Sequence, residues 1–283
     1  MTTYGMVIDV NRCTGCYNCF LACRDEHAGN DHRPIAAPQP ESGHKWIDVL
    51  EHERGKFPRV RVDYVALLCQ HCKEATCMSR APEGAIYRRE DGIVLIDPEK
   101  AQGHSEIVSS CPYRAIHWNA AQGVAQKCTF CAHLLDQGWK EPRCVEACPT
   151  EALVFGDLDD PTSTISQLLK SRTTEELHPQ FELMPAVRYL GLPKRFVSGE
   201  ITFADRMSEP AAGVCVLLHD GTNSHDGVTD AYGDFAFQAL EAGTSYVLYI
   251  SAPGYRPMEI GVGAHHDMDL GTILLEPASA GAG

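Results

Sequence analysis

"RCTGCYNCFLACRDEH", residues 12–27, carries Cys13, Cys16, Cys19 and Cys23 in a C-x2-C-x2-C-x3-C spacing. Three thiolates on one tight loop can reach three irons of a 4Fe-4S cube, while the fourth, on the helix that follows, points away toward a neighbouring cluster. Zinc ribbons usually present paired C-x2-C knuckles, so iron is the better reading of this run. Twelve of the thirteen cysteines precede residue 149, and the last, Cys215, sits in a stretch rich in Gly, Val and Asp. A cysteine-dense half followed by a cysteine-poor half predicts a domain built around prosthetic groups, joined to one with an ordinary apolar core.

Three more runs repeat the pattern with gaps. The second is Cys69, Cys72 and Cys77, with Ala81-Pro82 standing where a fourth cysteine followed by proline would fall. The third keeps only Cys111, before Pro112; the same steps counted backward land on Ile107, His104 and Ala101. The last is Cys128, Cys131, Cys144 and Cys148, followed by Pro149, and taken alone it could also be a four-cysteine zinc site.

Swapped ligation gives each cluster three cysteines from one run and a fourth from its partner run. If the second and third runs are partners, the vacated positions Ala81, Ala101, His104 and Ile107 all belong to one site. Any other pairing leaves two clusters damaged. The twelve cysteines then divide without remainder into Cys13, Cys16, Cys19 with Cys148; Cys128, Cys131, Cys144 with Cys23; and Cys69, Cys72, Cys77 with Cys111. The expectation is three 4Fe-4S clusters with these twelve cysteines as iron ligands and no catalytic residue. His104 has no companion ligands and reads as a packed or solvent-facing filler. Cys215 reads as a core thiol on a strand, and "AHHDMD", 264–269, as an exposed loop rather than a metal site.

Short apolar runs flank the cysteine loops: "YGMVID" at 4–9, "GIVLID" at 92–97, "AIHW" at 115–118 and "ALVF" at 152–155. Helical candidates follow them in "CFLACRDEH" and "CTFCAHLLDQ". Residues 28–60 read as a long polar, proline-containing loop without periodicity, either an interface or a mobile segment. One helix is predicted at about 162–177, within a connecting segment. From Val197 the pattern turns to alternating runs divided by Gly, Asp and Pro, which predicts a small antiparallel β-sandwich. The expected organisation is therefore residues 1–155 for the cluster domain, 156–195 for the connection, and 196–283 for the sandwich with a flexible C-terminal tail.

The formal net charge of −14 argues against a nucleic-acid partner, which would call for a basic face. No apolar run approaches the length of a membrane span, so no membrane anchor is expected. The start, "MTTYGMVIDV", lacks a basic n-region, an apolar h-region and a twin arginine, which leads to the expectation of a cytoplasmic chain.

The four runs, with "CQHCKEATC" and "QKCTFCAHLLDQG", resemble the iron–sulfur subunits of the dimethyl-sulfoxide-reductase superfamily of molybdenum or tungsten oxidoreductases. A narrower match, in "REDGIVLIDPEKAQG", "VAQKCTFCAHLLD" and the C-terminal sandwich, is to the small subunits of pyrogallol-phloroglucinol transhydroxylase and anaerobic resorcinol-type hydroxylases. The resemblance implies an α+β fold. A duplicated bacterial-ferredoxin-like domain comes first, and an all-β transthyretin-like (carboxypeptidase-regulatory-like) sandwich follows. It also implies a catalytic large subunit as heterodimer partner, carrying a molybdenum or tungsten bis-pterin cofactor, and leaves room for a soluble electron carrier. The implied function is electron transfer for a hydroxylase or transhydroxylase of phenolic rings. The alternatives are a subunit of a sulfur, selenium or arsenic reductase of the same superfamily, a free-standing polyferredoxin, and a structural zinc protein.

Overall fold

Met6, Val7 and Ile8 of β1 (Tyr4–Asp9) are wholly buried, as befits a short apolar run covered on both faces. The computed structural model of the chain describes residues 2–57, 59–206 and 209–278, which divide into two units. The first comprises residues 1–51 and 63–192, the second residues 52–62 and 193–283.

In the first unit, β1 leads through the first cysteine loop to α1 (Asn18–His27). A hairpin of β2 (Ile47–Lys56) and β3 (Arg59–Leu68) follows, and its outer part belongs to the second unit. Next come α2 (Thr76–Arg80), the small hairpin β4 (Ile86–Arg88) and β5 (Val94–Ile96), and a 3-10 segment at Ser105–Ser110. A second small hairpin, β6 (His117–Asn119) and β7 (Val124–Gln126), precedes α3 (Ala132–Asp136) and α4 (Arg143–Glu146). The unit closes with β8 (Leu153–Asp157), α5 (Thr164–Ser171) and β9 (Val187–Leu190).

β1 is the middle strand of a three-stranded sheet, antiparallel to β8 with Met6 opposite Phe155, and parallel to β9 with Met6 opposite Val187. One face, with Met6 and Ile8, joins Phe155, Val187 and Tyr189 in the core that holds the cysteine loops. On the other face Val7 packs with Ile165 and Leu190, beside Leu168 and Leu169 of α5. Ser163 caps that helix by accepting the Ser166 N–H at 3.2 Å.

Three expectations are corrected here. Residues 156–192 do not form a separate connection: α5 covers the sheet and β9 pairs with the edge of β1 that β8 leaves free. The helix is also shorter than predicted, because the backbone of Glu175 pairs with Tyr189 at 2.8 and 2.9 Å and draws the chain out of helix. Residues 28–60 are not a featureless loop. Ala36, Ala37 and Trp46 are buried, and the chain enters β2 at Ile47. The alternation in "RVRVDY", 59–64, was the overlooked strand signal.

The second unit holds β10 (Arg195–Phe203), β11 (Cys215–His219), β12 (Ser224–Val228), β13 (Asp234–Leu240), β14 (Ser245–Ser251), β15 (Met258–Gly263) and β16 (Met268–Leu275). They form a three-stranded sheet, β13-β10-β16, and a four-stranded sheet, β12-β11-β14-β15. Val197, Ile201, Leu218, Phe235, Leu248 and Leu275 share one core. The antiparallel expectation fails at one pair: β10 and β16 run parallel, with Ile201 opposite Ile273. Cys215 is not a core thiol but exposed, because Val216 and Leu218 take the inward positions of its strand. The expected tail, residues 279–283, lies outside the described residues.

The outer part of the β2–β3 hairpin is bound within this unit by charge. The guanidinium groups of Arg54 and Arg61 lie 5.8 and 5.6 Å from the Phe196 ring centroid, Arg61 reaches Gln238 at 2.9 Å, and Arg59 pairs with Asp234. Asp267, in the loop expected to be exposed, has a side chain only 4% exposed; it takes Arg54 at 3.4 Å, Arg195 at 3.5 Å and the Phe196 N–H at 3.0 Å. Replacing it removes one buried carboxylate that two arginines, Arg54 and Arg195, share. Asp267→Ala is expected to destabilise the chain by about 3 kcal/mol in urea unfolding, and a change below about 1 kcal/mol would show that this carboxylate is a surface ornament.

Candidate iron–sulfur centres

Each cysteine pair that opens a run turns the same way. Gly15, His71 and Phe130, two residues after Cys13, Cys69 and Cys128, all have left-handed backbones, with φ of 68°, 44° and 51°. This bend folds the backbone N–H of each back onto the first sulfur. His71 N–H donates to Cys69 Sγ at 3.5 Å, Phe130 N–H to Cys128 Sγ at 3.4 Å, and Gly15 serves Cys13 in the same sense. Only glycine fits the first loop, where a Cβ would come within 2.6 Å of the Tyr64 ring. At the other two positions the side chains meet each other: the rings of His71 and Phe130 stack at 3.8 Å, so equivalent points of two repeats face one another.

Helices position the remaining thiols. Cys19 and Cys23 lie on α1, Cys77 on α2 and Cys144 on α4; α1 packs against α4, and Cys148 follows it, accepting the Ala152 N–H at 3.2 Å. Burial, reinforced by neighbouring thiols, sets their chemistry. Burial pushes Cys19 up to about 12, with Cys13, Cys148 and Cys16 beside it adding to the effect. Cys23 and Cys144 are raised well above the ordinary thiol value by burial, Cys23 with Cys128 and Cys131 as neighbours and Cys144 with Cys131, Cys128 and Cys23. Cys72 and Cys77 are pushed to about 12 and about 11 by burial, then by Cys69 and Cys111 among others.

The thiols thus come together as Cys13, Cys16, Cys19 and Cys148; as Cys23, Cys128, Cys131 and Cys144; and as Cys69, Cys72, Cys77 and Cys111. Cross-contacts order the groups. Cys19 feels Cys23 and Cys144, and Cys128 feels Cys69, so the second group lies between the other two. The third group walls a small cavity together with Tyr113, Ile116 and Lys127. Buried thiols that resist ionisation give up their protons readily only to a metal cation, and four converging on one cavity suit an iron–sulfur cube.

The vacated positions are filled with hydrocarbon. Ala101 and Ile107 are wholly buried in a core with Ile86, Val94, Ile96 and Ile116, and Ala81 packs against it. His104 turns outward, 42% exposed, with Nδ1 2.8 Å from Glu106. Of these four positions only His104 carries a ligand atom, and it is turned outward.

Three features escaped the sequence reading. Lys127, immediately before Cys128, is buried among the thiols. His27, at the end of α1, sets Nε2 3.7 Å from Cys131 Sγ; burial pushes its pKa down to about 3, so the ring is neutral and can donate an N–H to the sulfur. His27, His32 and His133 each bring a ring nitrogen within 4.8 Å of the others. The rings of His32 and His133 are stacked at 3.8 Å and 21°, however, so their in-plane lone pairs do not meet at one ion. Glu26 instead ties His133 at 2.9 Å.

Among the described residues no helix is long and apolar enough to cross a membrane. Residues 60–158 match the family described as a 4Fe-4S dicluster domain. The chain is 38% identical over 281 residues to the pyrogallol hydroxytransferase small subunit of Pelobacter acidigallici, covering 97% of this chain and 100% of that one. It is 32% identical over 234 residues to the arsenate respiratory reductase iron-sulfur subunit ArrB of Shewanella sp. (strain ANA-3), covering 66% and 95%. Protein NrfC of Escherichia coli (strain K12) is 39% identical over 172 residues, covering 60% and 73%. With its ferredoxin-type loops, buried thiols and full-length match, the chain belongs to the iron–sulfur subunits of the dimethyl-sulfoxide-reductase superfamily, alongside the small subunit of pyrogallol hydroxytransferase.

Proposed function

We propose that the chain holds three 4Fe-4S clusters in a row and passes electrons to or from a catalytic large subunit with a molybdenum or tungsten bis-pterin site. The twelve cysteines named above are the iron ligands in this reading. Cys13, Cys16, Cys19 and Cys148 hold the first cluster, Cys23, Cys128, Cys131 and Cys144 the middle one, and Cys69, Cys72, Cys77 and Cys111 the outer one. The observation that supports it best is the division of the twelve thiols of the first unit into three groups of four, with apolar packing at the fourth place. Clusters supply one-electron storage; the chain's own residues supply thiolates, N–H donors to sulfur and exclusion of water.

The partner's chemistry, in this proposal, is hydroxylation or transhydroxylation of phenolic rings in the cytoplasm. The match to the pyrogallol hydroxytransferase small subunit supports it, since that match runs over 97% of the chain. The match to the arsenate reductase subunit leaves a third of the chain unpaired. We read the second unit as a transthyretin-like sandwich on the strength of its seven alternating strands in two sheets. A reductase of sulfur, selenium or arsenic compounds is the competing reading, and the substrate turned over by the purified complex separates them.

The anaerobically purified complex should contain about twelve irons per copy of this chain, after subtraction of any cluster on the partner, plus molybdenum or tungsten. About sixteen would mean that the segment around His104 binds a cluster, and zinc in place of iron would overturn the reading altogether. Cys111→Ser should damage the outer cluster alone, leaving the paramagnetic signals of the other two intact, whereas His104→Ala should leave iron content unchanged. Loss of iron in His104→Ala, or loss of all three signals in Cys111→Ser, would refute the ligand sets.

A further inference from the structure

Lys127 is 2% exposed, yet the described hydrogen bonds of its ammonium go only to backbone carbonyls: that of Val94, and that of Cys128 at 3.0 Å. No carboxylate pairs with it among the described residues. A buried ammonium with carbonyl partners alone is costly to desolvate, and an anion close by offsets that cost. The anions at hand are thiolates. Lys127 adjoins Cys128 of the middle group in the chain, and its side chain lines the cavity walled by Cys69, Cys72, Cys77 and Cys111. Val94, whose carbonyl accepts from the ammonium, gives its own N–H to His71 Nδ1 at 3.1 Å, between Cys69 and Cys72 in the chain.

We propose that Lys127 is the shared counter-charge of the middle and outer clusters, raising both reduction potentials together and leaving the first cluster outside its reach. The inference rests on the three-cluster reading above. One electron arriving on either cluster adds one negative charge, and a buried cation stabilises that reduced state more than the oxidised one. Because one ammonium serves two clusters, it leaves the step between them unchanged and alters the step from the first cluster. Lys127 touches neither substrate nor the reacting centre, so it is a positioning residue, and a potential reads its role where activity would not.

The test is a redox titration of the intact complex, followed by electron paramagnetic resonance, for wild type, Lys127→Gln and Lys127→Arg, each with iron content measured. In Lys127→Gln, at a fixed potential, the reduced-to-oxidised ratio of the middle and outer clusters should fall about tenfold, equivalent to about 59 mV for a one-electron couple. The first cluster should be unmoved, and Lys127→Arg should keep wild-type ratios. If Lys127→Gln sheds iron from these two sites while Lys127→Arg retains it at wild-type potentials, the requirement for a cation is equally upheld. Full iron with unmoved potentials in Lys127→Gln, an equal shift in all three clusters, or equal iron loss in both variants would overturn the inference. Wild-type complex without iron at the middle and outer sites would overturn the three-cluster reading itself.

Discussion

Burial keeps most of the cluster-domain thiols protonated unless a cation takes the proton's place, and the architecture of the first unit follows from that demand. Cys23, Cys128, Cys131 and Cys144 are all buried, around α1, α3 and α4, where a thiolate is poorly solvated. The chain answers with donors at fixed places: backbone N–H groups bent onto sulfur at His71 and Phe130, and the neutral imidazole of His27 at Cys131. Such contacts favour the anionic ligand without adding mobile charge.

The same reasoning bears on the segment where the cysteine pattern breaks off. A cluster removed from a packed interior leaves a void, and voids destabilise in proportion to their volume. Ala101, Ile107, Ile86 and Ile116 occupy that space as an aliphatic core, each fully buried isoleucine side chain contributing about 1.5–3 kcal/mol. Cys111 packs at the edge of this core and also lines the cavity shared with Cys69, Cys72 and Cys77. Repeat symmetry is retained in the backbone, in the left-handed turns and the stacked His71 and Phe130, while the chemistry has become unequal.

Charge plays the corresponding role in the second unit. Asp267 gathers Arg54 from the hairpin and Arg195 from the start of β10, so the outer hairpin and the sandwich share one ion set. The parallel pairing of β10 with β16 brings the first and last strands of that unit side by side.

The cysteine spacings alone marked the four runs, the positions where their pattern breaks, and the strand and helix that flank the first loop, because those features are local and periodic. Tertiary structure decided the rest. That β9 would pair with β1, that Cys215 would face water, that residues 28–60 would become buried turns and a hairpin, and that Lys127 would sit between two thiol groups all depend on partners distant in sequence. Spacing reports which atoms can converge on a metal; only packing reports which charges are left inside with them.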